Sequence, residues 1–193
     1  MIPVLVEGDA DVPVIRRLFE LVGLEVGTIY GLRGKNWLDQ RLAAYNSAAH
    51  HRQGFALRDL NGDADCAPHL MREILPTRAD GMCFRVAVRA MEAWLIADRE
   101  RMAQFLSVPL TRIPRYPDTV SDPKAAIVNL ARRSRKRAIR LDMAPTPGTS
   151  GRVGPGYSAR IIEFGSGVWR PDVAREISPS LARCIAALER WRG

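Results

Sequence analysis

Four carboxylates, Glu7, Asp59, Asp63 and Glu92, each follow a short apolar run with the length and β-branched character of a buried strand. In an open parallel sheet the carboxyl ends of the strands share one edge, where ligands bind, so acidic residues distant in sequence converge there. Carboxylates held within a few ångströms raise one another's pKa unless a cation neutralises them. Oxygen ligands without a clustered His or Cys suit Mg2+ or Mn2+ better than Zn2+. Such an edge offers metal-assisted chemistry at a phosphate. The local alternative is that Asp, Asn and Gly after a strand are ordinary turn formers, as in Glu7-Gly8 and Asn61-Gly62.

A second set of residues suits an anion. Residues 124–141 predict one amphipathic helix, opened by Asp122 as N-cap and Pro123 at the first helical position. Ile127, Leu130, Ala131, Ser134, Ala138 and Leu141 fall on one face, and Arg132, Arg133, Lys136, Arg137 and Arg140 on the other, with Arg135 at the margin. A solvated face is the bland reading. Like charges without an interspersed acid favour binding to phosphates, which needs no base recognition. Lys124 and Arg152 are further candidate phosphate contacts, the latter in the segment 143–156, MAPTPGTSGRVGPG, expected to be a long loop covering the metal edge.

The charge is divided accordingly. The 193 residues carry a formal +8, with 29 Lys and Arg against 21 Asp and Glu. Residues 1–97 have a net charge of −1 and residues 98–193 a net charge of +9. Only three of the basic residues are Lys, and the Arg fork matches phosphate geometry. DNA, RNA or an acidic protein would each satisfy the basic half.

The elements that must position these groups alternate in the first hundred residues. Strands are expected at 2–6, 26–30, 54–60 and 82–88, and helices at 12–22, 37–49, 67–75 and 91–97. The expected fold class is therefore α/β, a Rossmann-like, mostly parallel four-stranded sheet flanked by helices, spanning residues 1–98. Residues 99–193 form a basic helical extension packed on it, interrupted by Pro109, Pro114 and Pro117, with last helices near 158–164 and 180–191.

Taken together, Val6-Glu7-Gly8-x-x-Asp11 after a first strand and Arg58-Asp59-Leu60-Asn61-Gly62-Asp63 after a third resemble the two signatures of the Toprim domain of topoisomerases, bacterial primases and overcoming-lysogenization-defect nucleases. The blocks Met91-Glu92-Ala-Trp94-Leu-Ile-Ala-Asp98, Asp122-Pro123-Lys124 and Gly154-x-Gly156-Tyr157-Ser158 are similar to the Toprim-like family called domain of unknown function four-two-seven-six. The resemblance implies that Glu7 is the Toprim glutamate, a metal ligand or proton-transfer group, and Asp59 the first Asp of the acidic pair. Asn61 stands where the second Asp is expected, so Asp63 is the substitute ligand and Glu92 a supplementary one. It also implies a role in phage defence or nucleic-acid processing.

Other patterns are excluded. Asp59-Leu-Asn61-Gly-Asp63 lacks the Gly and Glu that an EF-hand loop needs, having Ala64 and Leu70 there. Gly151, Gly154 and Gly156 do not follow a strand, and residues 31–36 lack P-loop spacing. His50, His51 and His69 have no partners at ligand spacing, and Cys66, Cys83 and Cys184 imply neither a disulfide framework nor zinc. No signal peptide or membrane span is expected, and a cytoplasmic location follows. The leading expectation is an Mg2+- or Mn2+-dependent phosphoesterase, foremost a nuclease, with Glu7 and Asp59 catalytic. A non-catalytic Toprim-like module binding nucleic acid or protein competes with it, and a small-molecule phosphatase or nucleotide binder is the third reading.

Overall fold

The structure, a computed structural model, describes residues 1–146 and 148–191; Pro147 of the expected 143–156 loop lies outside the described residues. The aliphatic runs form strands β1 (Ile2–Val6), β2 (Val26–Gly31), β3 (Gly54–Asp59) and β4 (Met82–Ala87). Helices α1 (Asp11–Val22), α2 (Lys35–Ala48) and α3 (Ala67–Ile74) connect them. Every pairing is parallel and the order is β2-β1-β3-β4. The chain leaves β1 for one neighbour and later returns to the other, so the topological switch falls between β1 and β3.

Strand alternation divides the core into two layers. Val4, Val6, Phe55, Leu57 and Cys83 pack with Val14, Ile15, Leu18 and Phe19 of α1. Leu5, Ala56, Phe84 and Val86 pack on the opposite face with Leu38 and Leu42 of α2 and Leu70 of α3. Both faces are covered by helices, which is why the strands read as nearly continuous apolar runs.

Beyond β4 follow α4 (Met91–Ala97), α5 (Arg99–Leu106), two 3-10 turns at Leu110–Arg112 and Pro117–Thr119, and α6 (Pro123–Arg132). The remaining helices are α7 (Arg137–Met143), α8 (Tyr157–Glu163), α9 (Pro171–Ala174) and α10 (Pro179–Glu189), with a π-helical turn at Phe164–Val168 after α8. Trp94, Ile127, Ile161, Trp169 and Ile185 join the first core layer, so the basic half shares a core with the sheet. The Trp94 indole donates to Ser180 Oγ at 2.7 Å, and buried Asp98 caps α5 while pairing with Arg170 at 2.7 Å.

One element departs from expectation. The helix expected over 124–141 is two helices, broken at 133–136. Ser134 is buried and its hydroxyl accepts the Lys136 amide at 3.0 Å, a local bond that competes with helix continuation. Arg140 donates to the Ser134 carbonyl at 2.6 Å across the break. The new phase buries Ile139 and Met143 in α7 and leaves Leu141 exposed, where one continuous helix would have buried Ala138 and Leu141. Among the described residues no helix is long and apolar enough to cross a membrane.

Candidate functional site

The switch point brings two of the expected carboxylates together by backbone geometry. Glu7 lies one residue past β1, and Asp59 is the last residue of β3, its neighbour. Oε1 of Glu7 accepts the Asp59 amide at 2.8 Å, tying the two strand ends. Oδ1 of Asp59 accepts the Met91 amide at 2.8 Å, at the start of α4, and the next residue is the buried Glu92. Asp11, buried at the start of α1, accepts the amides of Glu7 and Gly8 at 3.1 and 2.9 Å and so closes the β1–α1 turn.

The electrostatics follow from this crowding. Burial, and then the charges of Asp11, Glu92 and Glu7, push the Asp59 carboxyl well above the usual range. Burial and the charges of Glu7 and Glu92 raise Asp11 to about 7, against the amides of Gly8 and Glu7 that favour its charged form. Glu7 is raised by burial, with the Asp59 amide and the Arg58 guanidinium working the other way.

Two cations touch this group. Lys124, in the first turn of α6, places Nζ 3.3 Å from Oε1 of Glu92. Although burial opposes its charge, Glu92, Asp59 and Asp11 together raise its pKa. The Tyr157 hydroxyl donates to the same Glu92 oxygen at 3.3 Å, and burial and Glu92 hold it protonated. Arg58 is 2 % exposed and forms the second support. It reaches Oε1 of Glu7 at 3.3 Å, Oδ1 of Asp39 at 3.0 Å and Oδ2 of Asp63 at 2.6 Å, and also donates to the Asp59 carbonyl.

Asp63, expected as a ligand, belongs to that neighbouring network: Lys35 and Arg58 both approach it at 2.6 Å, and Lys35 chiefly holds its carboxyl below the ordinary range. Asn61 adopts left-handed backbone, φ 50°, a conformation Asn tolerates well, and its backbone N–H donates to the Arg89 carbonyl at 2.7 Å.

A cleft of about 280 Å³ opens over the group, lined by Asp59, Asn61, Glu92, Arg89, Lys124 and Arg152, with Asp122 and Pro123 at its wall. Arg152 projects from the loop and pairs with Asp122 at 2.6 Å, so this part of the loop does sit at the carboxylate edge. Gly154 and Gly156 anchor it: a Cβ on Gly154 would overlap the Asp142 carbonyl and come within 2.7 Å of the Ala144 oxygen, and one on Gly156 would lie 2.8 Å from the Asp142 Cβ. This close approach delivers Tyr157 to Glu92.

The remaining basic candidates lie further along. Arg132 is eight residues beyond Lys124 on α6, about 12 Å along its axis. Arg132 and Arg133 line a separate hollow with Arg112 and Asn129. Lys136 and Arg137 are exposed around the break, and Arg140 is half-buried through its bond to Ser134. Sequence reasoning missed Asp11, Arg58, Arg89 and the Glu92 contact of Tyr157. It also missed a basic and aromatic group after β2, where the guanidinium groups of Arg33 and Arg41 lie 5.7 and 5.5 Å from the centre of the Trp37 ring. The Glu-Gly-x-x-Asp spacing was the available signal for Asp11.

Among the described residues no group of three or more His, Cys, Asp and Glu side chains is arranged to hold a metal ion. Mg2+ does not require one, since it keeps several waters and is usually bound by one or two carboxylates with the substrate's phosphate. Asp59 and Glu92 open on the cleft, and the donors they present are hard oxygens. The residues present therefore fit a hard divalent ion. No family model matches the chain, and neither a curated protein nor a solved structure matches it.

Proposed function

We propose that the protein is a metal-dependent phosphoesterase of the Toprim-like kind, acting on nucleic acid as a nuclease. The observation that carries this reading is the convergence of Glu7, Asp59 and Glu92 at the β1/β3 switch point, beside a cleft whose lining also includes Lys124, Arg89 and Arg152. Asp59 and Glu92 would hold Mg2+ or Mn2+, with Glu7 and Asp11 behind them. When bound, the ion supplies Lewis-acid polarisation of a phosphoryl group and charge stabilisation as the leaving oxygen departs.

The chain's own residues divide the remaining work. Lys124, held beside Glu92, is positioned to take a phosphate oxygen once a cation occupies the carboxylates. Arg152 and Arg89 add positive charge along the cleft wall. Glu7 has a raised pKa and is fixed by Arg58 and the Asp59 amide, which suits it to carry a proton at the strand edge. Arg132, Arg133, Lys136, Arg137 and Arg140 would extend the contact along a phosphate backbone, without reading sequence.

The test is cleavage of labelled single- and double-stranded DNA and RNA with Mg2+, Mn2+ or EDTA. Metal-dependent cleavage, lost in Glu7→Ala and Asp59→Ala variants that remain folded, supports the reading. Binding that persists in EDTA without cleavage by the wild type overturns it in favour of a binding module.

A further inference from the structure

We infer that the protein has a second ligand site, a three-arginine cavity at the opposite end of β4 that binds a phosphate group. The cavity, of about 240 Å³, is lined by Arg78, Arg85 and Arg190 together with Asp80, Cys83 and Trp191. The three guanidinium groups reach it from different places. Arg78 comes from the connector before β4, Arg85 from within the strand on the face that α10 covers, and Arg190 from just beyond α10.

None of the three forms an ion pair among the described residues, and the buried Nε of Arg85 has no hydrogen-bond partner. A buried guanidinium nitrogen left unsatisfied is costly, and with Asp80 the one acid lining the hollow, the three guanidinium groups leave an excess of positive charge that an anion would neutralise. The nearby thiol is no substitute. Burial pushes Cys83 up to about 11 in spite of Arg85, Arg78 and Arg190, so it stays neutral at physiological pH. Arginine's planar fork donates in pairs to the oxygens of a tetrahedral oxyanion, and three forks from different directions suit a doubly charged phosphate better than a carboxylate.

The site lies at the amino ends of the strands, away from the carboxylate edge, so it stands independently of the proposed catalytic reading. Its ligand is free phosphate, or the same group on a nucleotide or a nucleic-acid end.

The experiment is isothermal titration of the full chain with inorganic phosphate, a nucleoside 5′-monophosphate, and 5′-phosphorylated and 5′-hydroxyl oligonucleotides, all at matched ionic strength. Each titration is repeated on Arg85→Met and on the surface double variant Arg78→Ala/Arg190→Ala. Saturable binding of at least one phosphate compound, weakened about tenfold or more in the double variant, is expected. Preference for the phosphorylated over the hydroxyl oligonucleotide assigns the site to nucleic-acid ends, and equal binding of inorganic phosphate and monophosphate assigns it to the free group. No saturable binding, or affinity unchanged in the double variant, overturns the proposal even if Arg85→Met fails to fold.

Discussion

Lys124 Nζ rests 3.3 Å from Oε1 of Glu92, which makes a residue of the basic half the immediate counter-ion of a carboxylate from the sheet half. A divalent cation on Asp59 and Glu92 would compete for that charge and free the ammonium for substrate. Lys124→Ala is therefore expected to lower cleavage by about tenfold or more and to reduce the salt dependence of nucleic-acid binding by about one phosphate contact. Single-turnover rates and a salt titration of Kd check both; unchanged values for each would remove Lys124 from the site.

Stability of the metal-free protein should fall as the pH rises. The unfolded chain releases the Asp11 proton near the ordinary 3.8, while the folded chain holds it up to about 7. Folding thus takes up a proton in that interval, so this group's contribution is fully present below the lower value and is lost as pH passes through the higher one. The slope is about 1.4 kcal/mol per pH unit for each such group, and Asp59 and Glu7 shift in the same direction. Asp11→Asn should flatten the curve and stabilise the protein at alkaline pH, and Mg2+ should do so in the wild type. Urea melts across the pH range decide it, and a wild-type curve already flat would contradict the raised carboxyls.

Arg58 is the buried hub on which Glu7, Asp39 and Asp63 depend. Removing one partner of a buried ionic group costs about 3–5 kcal/mol because the others are left uncompensated. Arg58→Ala should lose stability on that scale by chemical denaturation, whereas Lys35→Ala, removing a more exposed partner of Asp63, should cost about 1 kcal/mol or less. Equal losses for the two variants would show that the hub is not where the structure puts it.

Gly154→Ala tests how the loop serves the site. Its new methyl would overlap the Asp142 carbonyl and crowd the Ala144 backbone, where no flexible side-chain end can yield. Overpacking of this kind costs about 1–3 kcal/mol. Displacement of the loop should also move Tyr157 off Glu92, so activity should fall further than in Tyr157→Phe, which removes only the hydroxyl. Activity equal to wild type in a folded Gly154→Ala protein would separate the loop from the chemistry.

Most of the framework was legible because short aliphatic runs and 3.6-residue periodicity report burial directly. The four strands and the helices between them appear within a residue or two of expectation, and Glu7, Asp59 and Glu92 gather as the shared strand edge requires. The break at 133–136 was not legible, because it depends on the Ser134 hydroxyl bonding back to the chain, which periodicity does not encode. Asp63 was expected to join Asp59 as the substitute second carboxylate. The left-handed turn at Asn61 and the competing pull of Arg58 and Lys35 distinguish them only in three dimensions. The π-helical turn at Phe164–Val168 likewise arises from packing, with Gly165 close against Pro13 of α1.

The sheet order has a mechanical consequence. β1 and β3 are its two interior strands, each hydrogen-bonded on both sides, so Glu7 and Asp59 sit at the ends of doubly paired backbone. Lys124, Arg152 and Tyr157 instead arrive on helix starts and a glycine-anchored loop from the later half of the chain. The cleft thus behaves as an anvil facing a jaw. Under the proposed function, substrate entry and product release would be accommodated by the jaw; amide exchange should be slow at Val4–Val6 and Phe55–Leu57 and faster in the segment carrying Arg152.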